Sequence, residues 1–237
     1  MSGEIIFTLH LKRQRYDRQF TGSVFPVLIN MKHESENTGI YLPLVEQFYS
    51  IQGEGFHTGR AAYFVRIGGC DVGCNWCDTK FAWDPDSWEL THIDSIIKCI
   101  AGSGADSVLV TGGEPLMYNL EPFCREVKKL NIKTYLETSG SHELTGIWDW
   151  ICLSPKKNLP PIEDICVLAG ELKVIIEDEN DFSWAEKYKE MVAPGCKLYL
   201  QPEWSSHKII MPSLVEYVKK HSEWLISLQS HKFMGIP

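Results

Sequence analysis

The stretch Tyr63-Phe64-Val65-Arg66-Ile67-Gly68-Gly69-Cys70-Asp71-Val72-Gly73-Cys74-Asn75-Trp76-Cys77 decides the fold. Its first five residues are bulky or β-branched and read as a short strand that ends at two glycines. Three cysteines follow within eight residues. The Cys-x3-Cys-x2-Cys spacing lets three thiolates close round one centre in a loop, which is a metal-ligand pattern and not a disulfide framework. Thiolates suit zinc or iron–sulfur clusters. A structural zinc site takes four closed ligands, whereas the nearest histidines along the chain are His57 and His92. Three thiolates on a four-iron cluster leave one iron open, as a reactive site requires.

Downstream of this loop, strand and helix patterns alternate. Ile93, Ile96, Ile97 and Ile100 share one helix face, with Thr91 as the expected N-cap. Ser107–Val110 reads as a strand running into Thr111-Gly112-Gly113-Glu114-Pro115, and Leu120, Phe123, Val127 and Leu130 mark a second helix. Further strands are expected at Lys133–Glu137, Trp150–Leu153, Leu172–Ile176, Lys197–Leu200 and Trp224–Leu228, with helices near Asp181–Met191 and Pro212–His221. This alternation predicts an α/β fold with a parallel sheet. The gaps 138–149 and 155–170 are too irregular for full helices, so an incomplete TIM-like β/α barrel is expected. Polar or glycine-rich residues follow strand after strand, and in such barrels the C-terminal strand ends converge on one mouth.

The 237 residues are long enough for one sizeable core. Residues 1–43 carry no motif and read as an N-terminal extension, with Met31 as an alternative start; residues 44–237 read as the core domain. A formal charge of −8 argues against wrapping nucleic-acid backbones. No run of about 20 apolar residues suggests a membrane span, and basic residues interrupt any signal-peptide pattern. The other five cysteines, Cys99, Cys124, Cys152, Cys166 and Cys196, are scattered without shared spacing. Together these features predict a soluble, cytoplasmic protein.

The three-cysteine spacing, with an aromatic residue just before the last cysteine, resembles the signature of the radical S-adenosylmethionine (SAM) superfamily. The Gly-Gly-Glu-Pro segment after a strand is similar to a companion motif of that superfamily. The resemblance implies a partial β/α barrel of the radical SAM type, with a 4Fe-4S cluster held by Cys70, Cys74 and Cys77. It also implies SAM chelated to the open iron and cleaved to a 5′-deoxyadenosyl radical by an external one-electron reductant. The expected SAM contacts are Gly113 and Glu114, joined at other strand ends by Ser139, Ser154, Pro155, Lys156, Gln201 and Pro202.

Phe48-Tyr49-Ser50-Ile51-Gln52-Gly53-Glu54-Gly55, Arg66, Cys77-Asp78-Thr79 and the closing Met234-Gly235-Ile236-Pro237 narrow the resemblance to the 7-carboxy-7-deazaguanine synthase family. It covers roughly residues 44–237. It implies conversion of 6-carboxy-5,6,7,8-tetrahydropterin to 7-carboxy-7-deazaguanine with loss of ammonia, on the path to queuosine and related deazapurines. Also implied are Mg²⁺ at Thr79, substrate contacts at Ile51, Gln52, Gly53, Glu54, Arg66, Thr111 and Pro237, and a homodimer. The chemistry suits these side chains: Gln52 and Glu54 can read donors and acceptors on a pterin edge. Arg66 can fork a carboxylate, and a neutral threonine hydroxyl suits a hard cation. Two other readings compete: a different radical SAM enzyme, such as a glycyl-radical activase, and a non-catalytic zinc or iron–sulfur module.

Overall fold

A computed structural model describes residues 38–237. The expected extension therefore lies, through residue 37, outside the described residues, and the first strand already begins at Tyr41. Among the described residues nine strands form one sheet: β1 (Tyr41–Ile51), β2 (Ala61–Ile67), β3 (Leu90–His92), β4 (Ser107–Gly112), β5 (Lys133–Thr138), β6 (Trp150–Leu153), β7 (Glu171–Ile176), β8 (Lys197–Pro202) and β9 (Trp224–Ile226). Their order is β3-β1-β2-β4-β5-β6-β7-β8-β9. From β2 onward every neighbour pair is parallel, while β1 runs antiparallel to both β2 and β3. The order has two ends, β3 and β9, so the barrel is incomplete.

The crossovers carry α1 (Ile93–Ser103), α2 (Glu121–Lys129), α3 (Glu163–Cys166), α4 (Asp181–Lys189) and α5 (His207–Lys220), and α6 (Ser230–Met234) follows β9. Between β5 and β6 there is no helix, and between β6 and β7 only the four residues of α3, as the irregular composition implied. Three local expectations shift. His92, not Thr91, caps α1, its Nδ1 accepting from the Asp94 backbone N–H at 3.2 Å. Helix α5 starts at His207 and takes Pro212 into its interior, at the cost of one backbone hydrogen bond. The whole of β1 escaped the sequence pattern.

Period-two alternation sorts the parallel strands into two faces. Val65, Ile67, Val108, Val110, Leu136, Leu153, Leu172, Val174 and Leu200 are buried together with Ile96, Phe123, Val127, Ala185 and Leu214 of the helices. On the opposite face Phe64, Leu109 and Tyr135 pack with Phe48 and Trp150 as a separate apolar layer. Further along the same alternation come Arg66, Thr111, Glu137, Lys173 and Gln201. The inner face thus has an apolar floor and a polar upper layer.

Leu172 is fully buried between the sheet and the helices, whereas Ile209 is 83% exposed. Leu172→Ala should destabilise by about 2–5 kcal/mol through lost burial and cavity formation. Ile209→Ala should stay within about 0.5 kcal/mol of wild type. Denaturant midpoints under anaerobic conditions compare the two.

Candidate active site

The cysteine loop leaves β2 and is pinned on both sides. Gly69 and Cys70 backbone N–H groups donate to Ala82 and Trp83 carbonyls at 2.7 and 3.0 Å, and the Cys77 N–H donates to the Cys74 carbonyl at 3.2 Å. The Asn158 amide donates to the Gly73 carbonyl at 2.7 Å. Cys70, Cys74 and Cys77 are free and half-buried. Burial, followed for Cys74 by the neighbouring thiols, raises the Cys70 and Cys74 thiols above their ordinary range, despite opposing hydrogen bonds and Lys156. Deprotonation at such a site needs a positive centre.

Three free thiols carried on one loop fit a thiolate-ligated iron–sulfur cluster that leaves one iron open.

Behind the loop, the Gly112-Gly113 turn approaches β2 with no room for side chains. A Cβ on Gly112, whose φ is +145°, would lie 2.0 Å from the Ile67 carbonyl oxygen, and one on Gly113 would lie 2.0 Å from that of Gly69. The Gly113 and Glu114 N–H groups donate to those same two oxygens at 2.9 and 2.8 Å. Glycine is needed here to lock the cysteine loop onto β4. Glu114 is buried and accepts from the Leu116 N–H (3.0 Å), Thr138 Oγ1 (2.5 Å) and both the N–H and Oγ of Ser139 (2.7 and 2.5 Å). It braces the β4 end against the β5 end.

A cavity of about 480 Å³ opens over this loop, within the range of small-ligand sites. Its walls include the three cysteines and seven of the eight expected SAM contacts: Gly113, Glu114, Ser139, Ser154, Lys156, Gln201 and Pro202. Pro155 instead lines a 120 Å³ hollow beside Trp76. Lys156 Nζ donates to Ser154 O and Oγ at 2.7 and 2.6 Å and lies 5.7 Å from the Trp76 ring centroid. Its burial lowers the ammonium below its ordinary value.

A second cavity, of about 180 Å³, adjoins the first. It is lined by all seven expected substrate residues, Ile51, Gln52, Gly53, Glu54, Arg66, Thr111 and Pro237, and also by Asp78, Thr79 and Glu137. Glu54, Asp78, Thr79, Thr111, Gly112 and Glu137 border both cavities. Glu46 holds Arg66 Nε at 2.7 Å, which leaves the terminal nitrogens as the fork. Thr79 Oγ1 lies 3.4 Å from Cys77 Sγ, placing a hydroxyl oxygen beside the cysteine loop. The C-terminal segment is docked. Ser230 donates to the Gly53 carbonyl through both N–H and Oγ at 2.9 Å, and Ser50 Oγ donates to the Pro237 carbonyl at 3.4 Å. A Cβ on Gly53 would strike His231, which explains that glycine.

Several site residues escaped the sequence reading. Glu137 accepts from Gln52 Nε2 (2.9 Å) and Thr111 Oγ1 (3.2 Å). Lys173 pairs with Glu54 at 2.5 Å and Glu137 at 3.5 Å. Gln229 donates to Glu54 Oε1 at 2.8 Å, and Lys232 to Asp78 Oδ2 at 2.9 Å. Cys152 lines the larger cavity, unlike the core thiols Cys124 and Cys166. The available signal was the alternation of charged with apolar residues in Glu171-Leu172-Lys173-Val174 and Leu136-Glu137-Thr138. Burial raises the Glu54 carboxyl, but Lys173 and hydrogen bonds from Lys173, Gln229 and Gln201 outweigh it and hold the pKa at about 2.

The fold and its three-thiol mouth define a radical SAM protein, and the Radical SAM superfamily profile matches residues 64–151. A Flavobacterium psychrophilum 7-carboxy-7-deazaguanine synthase is 47% identical over 199 residues, 84% of this chain and 94% of its own. The Synechocystis sp. protein of the same description is 42% identical over 202 residues, 85% of this chain and 97% of its own. The crystal structure of QueE from Escherichia coli aligns with a TM-score of 0.74 at 26% identity, covering 84% of this chain and 99% of that one. This chain belongs to the 7-carboxy-7-deazaguanine synthase family.

Cys124 is buried in the core, where burial pushes its thiol up to about 12. Cys74→Ala should abolish iron retention after anaerobic reconstitution, while Cys124→Ala should keep wild-type iron content. Equal losses would contradict the ligand assignment.

Proposed function

We propose that the chain converts 6-carboxy-5,6,7,8-tetrahydropterin to 7-carboxy-7-deazaguanine with loss of ammonia, as a step towards queuosine and related deazapurines. The observation that carries this reading is the adjoining pair of cavities, one walled by the three thiols and the other by the expected substrate residues, with Glu54, Thr111 and Glu137 between them.

Cys70, Cys74 and Cys77 would hold a 4Fe-4S cluster, which with SAM in the larger cavity would supply hydrogen-atom abstraction. The protein's part is placement. Gln52, Glu54 and Glu137 offer the pterin edge amide and carboxylate partners. The Arg66 fork meets the substrate carboxylate, oriented by Glu46. Thr79, on the wall of both cavities, would offer Mg²⁺ a neutral oxygen, as suits a hard cation. Lys156, held by Ser154, presents a cation on the SAM side. The tethered tail brings His231 and Pro237 to the wall of the smaller cavity. The same reading includes a homodimer, an external one-electron reductant and a cytoplasmic setting. Among the described residues no helix is long and apolar enough to cross a membrane.

The anaerobic protein with SAM, a reductant, Mg²⁺ and carboxytetrahydropterin should release deazaguanine product and ammonia in equal amounts. An intact cluster that yields no product would refute the assignment. An activase would instead place a radical on a partner protein. A cluster whose reduced EPR signal ignores SAM would point to a non-catalytic module. Deleting Pro237 should raise the pterin KM by about tenfold or more with cluster content unchanged; unchanged kinetics would make the tail a bystander.

A further inference from the structure

Three carboxylates, Glu54, Asp78 and Glu137, border both cavities beside Thr79, Thr111 and Gly112, and Lys173 reaches two of them from one side. Lys173 lies on β7 between Leu172 and Val174, which face the helices. Its side chain is 6% exposed and reaches Glu54 Oε2 at 2.5 Å and Glu137 Oε1 at 3.5 Å. It lines the larger cavity but not the smaller one, whereas both of its carboxylate partners border both. Each carboxylate has a second tether: Gln229 on Glu54, and Gln52 with Thr111 on Glu137.

We propose that Lys173 is a positioning residue for the pterin: from the SAM side it fixes the spacing of the two carboxylates that read the substrate and keeps Glu54 charged. The proposal rests on the functional reading above and deepens it. Two carboxylates held within 3.5 Å of one ammonium would repel each other without it, and burial pushes the Glu54 carboxyl towards its protonated form. A protonated carboxyl presents an O–H donor where a pterin N–H needs an acceptor. One shared ammonium removes both difficulties without occupying the substrate cavity.

The groups around Glu54 come from five elements. They are Lys173 of β7, Glu137 of β5 with Gln52 attached, Gln201 of β8, Gln229 after β9, and Asp78 of the cysteine loop through Gln229. Lys173 is the one cation among them. Burial works against its charge, yet Cys152, Glu137, Glu54 and Glu171 outweigh burial and raise it well above its ordinary value. With Lys173 in place Glu54 stays ionised above about pH 2, so it contributes no change in KM across neutral pH. Without Lys173, burial favours a protonated Glu54 that ionises only as pH rises.

Lys173→Met should therefore raise the pterin KM by about tenfold or more near neutral pH, with a much smaller change in kcat. In this variant KM should fall steadily from about pH 6 to about pH 9, where the wild-type KM carries no such dependence on Glu54. Lys173→Arg should recover part of the loss, and the SAM-induced change in the EPR signal should persist in both variants. Infrared spectra of the substrate-free protein give an independent readout. A protonated-glutamate carbonyl band, labelled through ¹³C-glutamate, should appear in Lys173→Met at low pH and vanish as pH rises. Lys173→Gln provides the same readouts should methionine disturb folding. An unaltered, pH-independent KM together with no protonated band would overturn the proposal, as would a loss confined to kcat. If the wild-type protein does not turn over the pterin, the functional reading fails on its own, and the infrared comparison still decides what Lys173 does to Glu54.

Discussion

The close backbone approach between Gly112-Gly113 and the end of β2 is the constraint on which the site depends. Two carbonyl oxygens, those of Ile67 and Gly69, sit where any Cβ on these glycines would have to go. The same oxygens accept the N–H groups of Gly113 and Glu114. Strand β4 therefore grips the root of the cysteine loop directly, with no side chain between them to flex. Glu114 then carries the brace one strand further, to Thr138 and Ser139 at the end of β5. Three strand ends and the cysteine loop become one rigid rim, and a cluster chelated by that loop inherits the rigidity of the sheet.

Beneath the rim the barrel solves a harder problem, how to hold charge inside. Burying an unpaired carboxylate or ammonium is costly, and a buried pair is tolerated only when its remaining hydrogen-bonding capacity is filled. The polar layer meets that condition through a network: Gln52 and Thr111 on Glu137, Lys173 on both glutamates, Gln229 on Glu54. Phe64, Leu109, Tyr135, Phe48 and Trp150 seal it from below. The low local dielectric strengthens each of these contacts and equally penalises the loss of one. Such a layer holds its donors and acceptors in fixed positions on the inner face.

The legible and illegible parts of the sequence divide along physical lines. The cysteine spacing is a local signal, so Cys70, Cys74 and Cys77 could be picked out as a metal-ligand set without coordinates, whereas Gly113-Glu114 and the Gln52–Glu54 run were singled out through the family resemblance and lie on the walls of the two cavities. Their apolar flanking strands set the barrel, and the irregular 155–170 stretch marked where it lacks a full helix. Glu137 and Lys173 were hidden because they sit within strands. Lys173 meets Glu54 across 119 residues and Gln52 meets Glu137 across 85, separations at which sequence pattern carries no pairing information. Strand β1 was hidden for another reason. It is half-buried along most of its length, with Pro43, Glu46 and Gln47 interrupting any alternation, and it takes its shape from β2. Helix α5 runs through Pro212 because tertiary packing of Ile210 and Leu214 offsets one missing hydrogen bond.

The C-terminal segment joins these two systems. Gln229 touches Glu54 from one side and Asp78 from the other, at 2.8 and 3.4 Å. Lys232 holds Asp78 at 2.9 Å while its ammonium lies 4.6 Å from the Trp204 ring centroid at the end of β8. Asp78 stands between Cys77 and Thr79, so the tail that lines the smaller cavity also steadies the part of the cysteine loop facing it. The walls of the two cavities are thereby fixed in part by the same few contacts, because Gln229 reaches both Glu54 and Asp78, which border both.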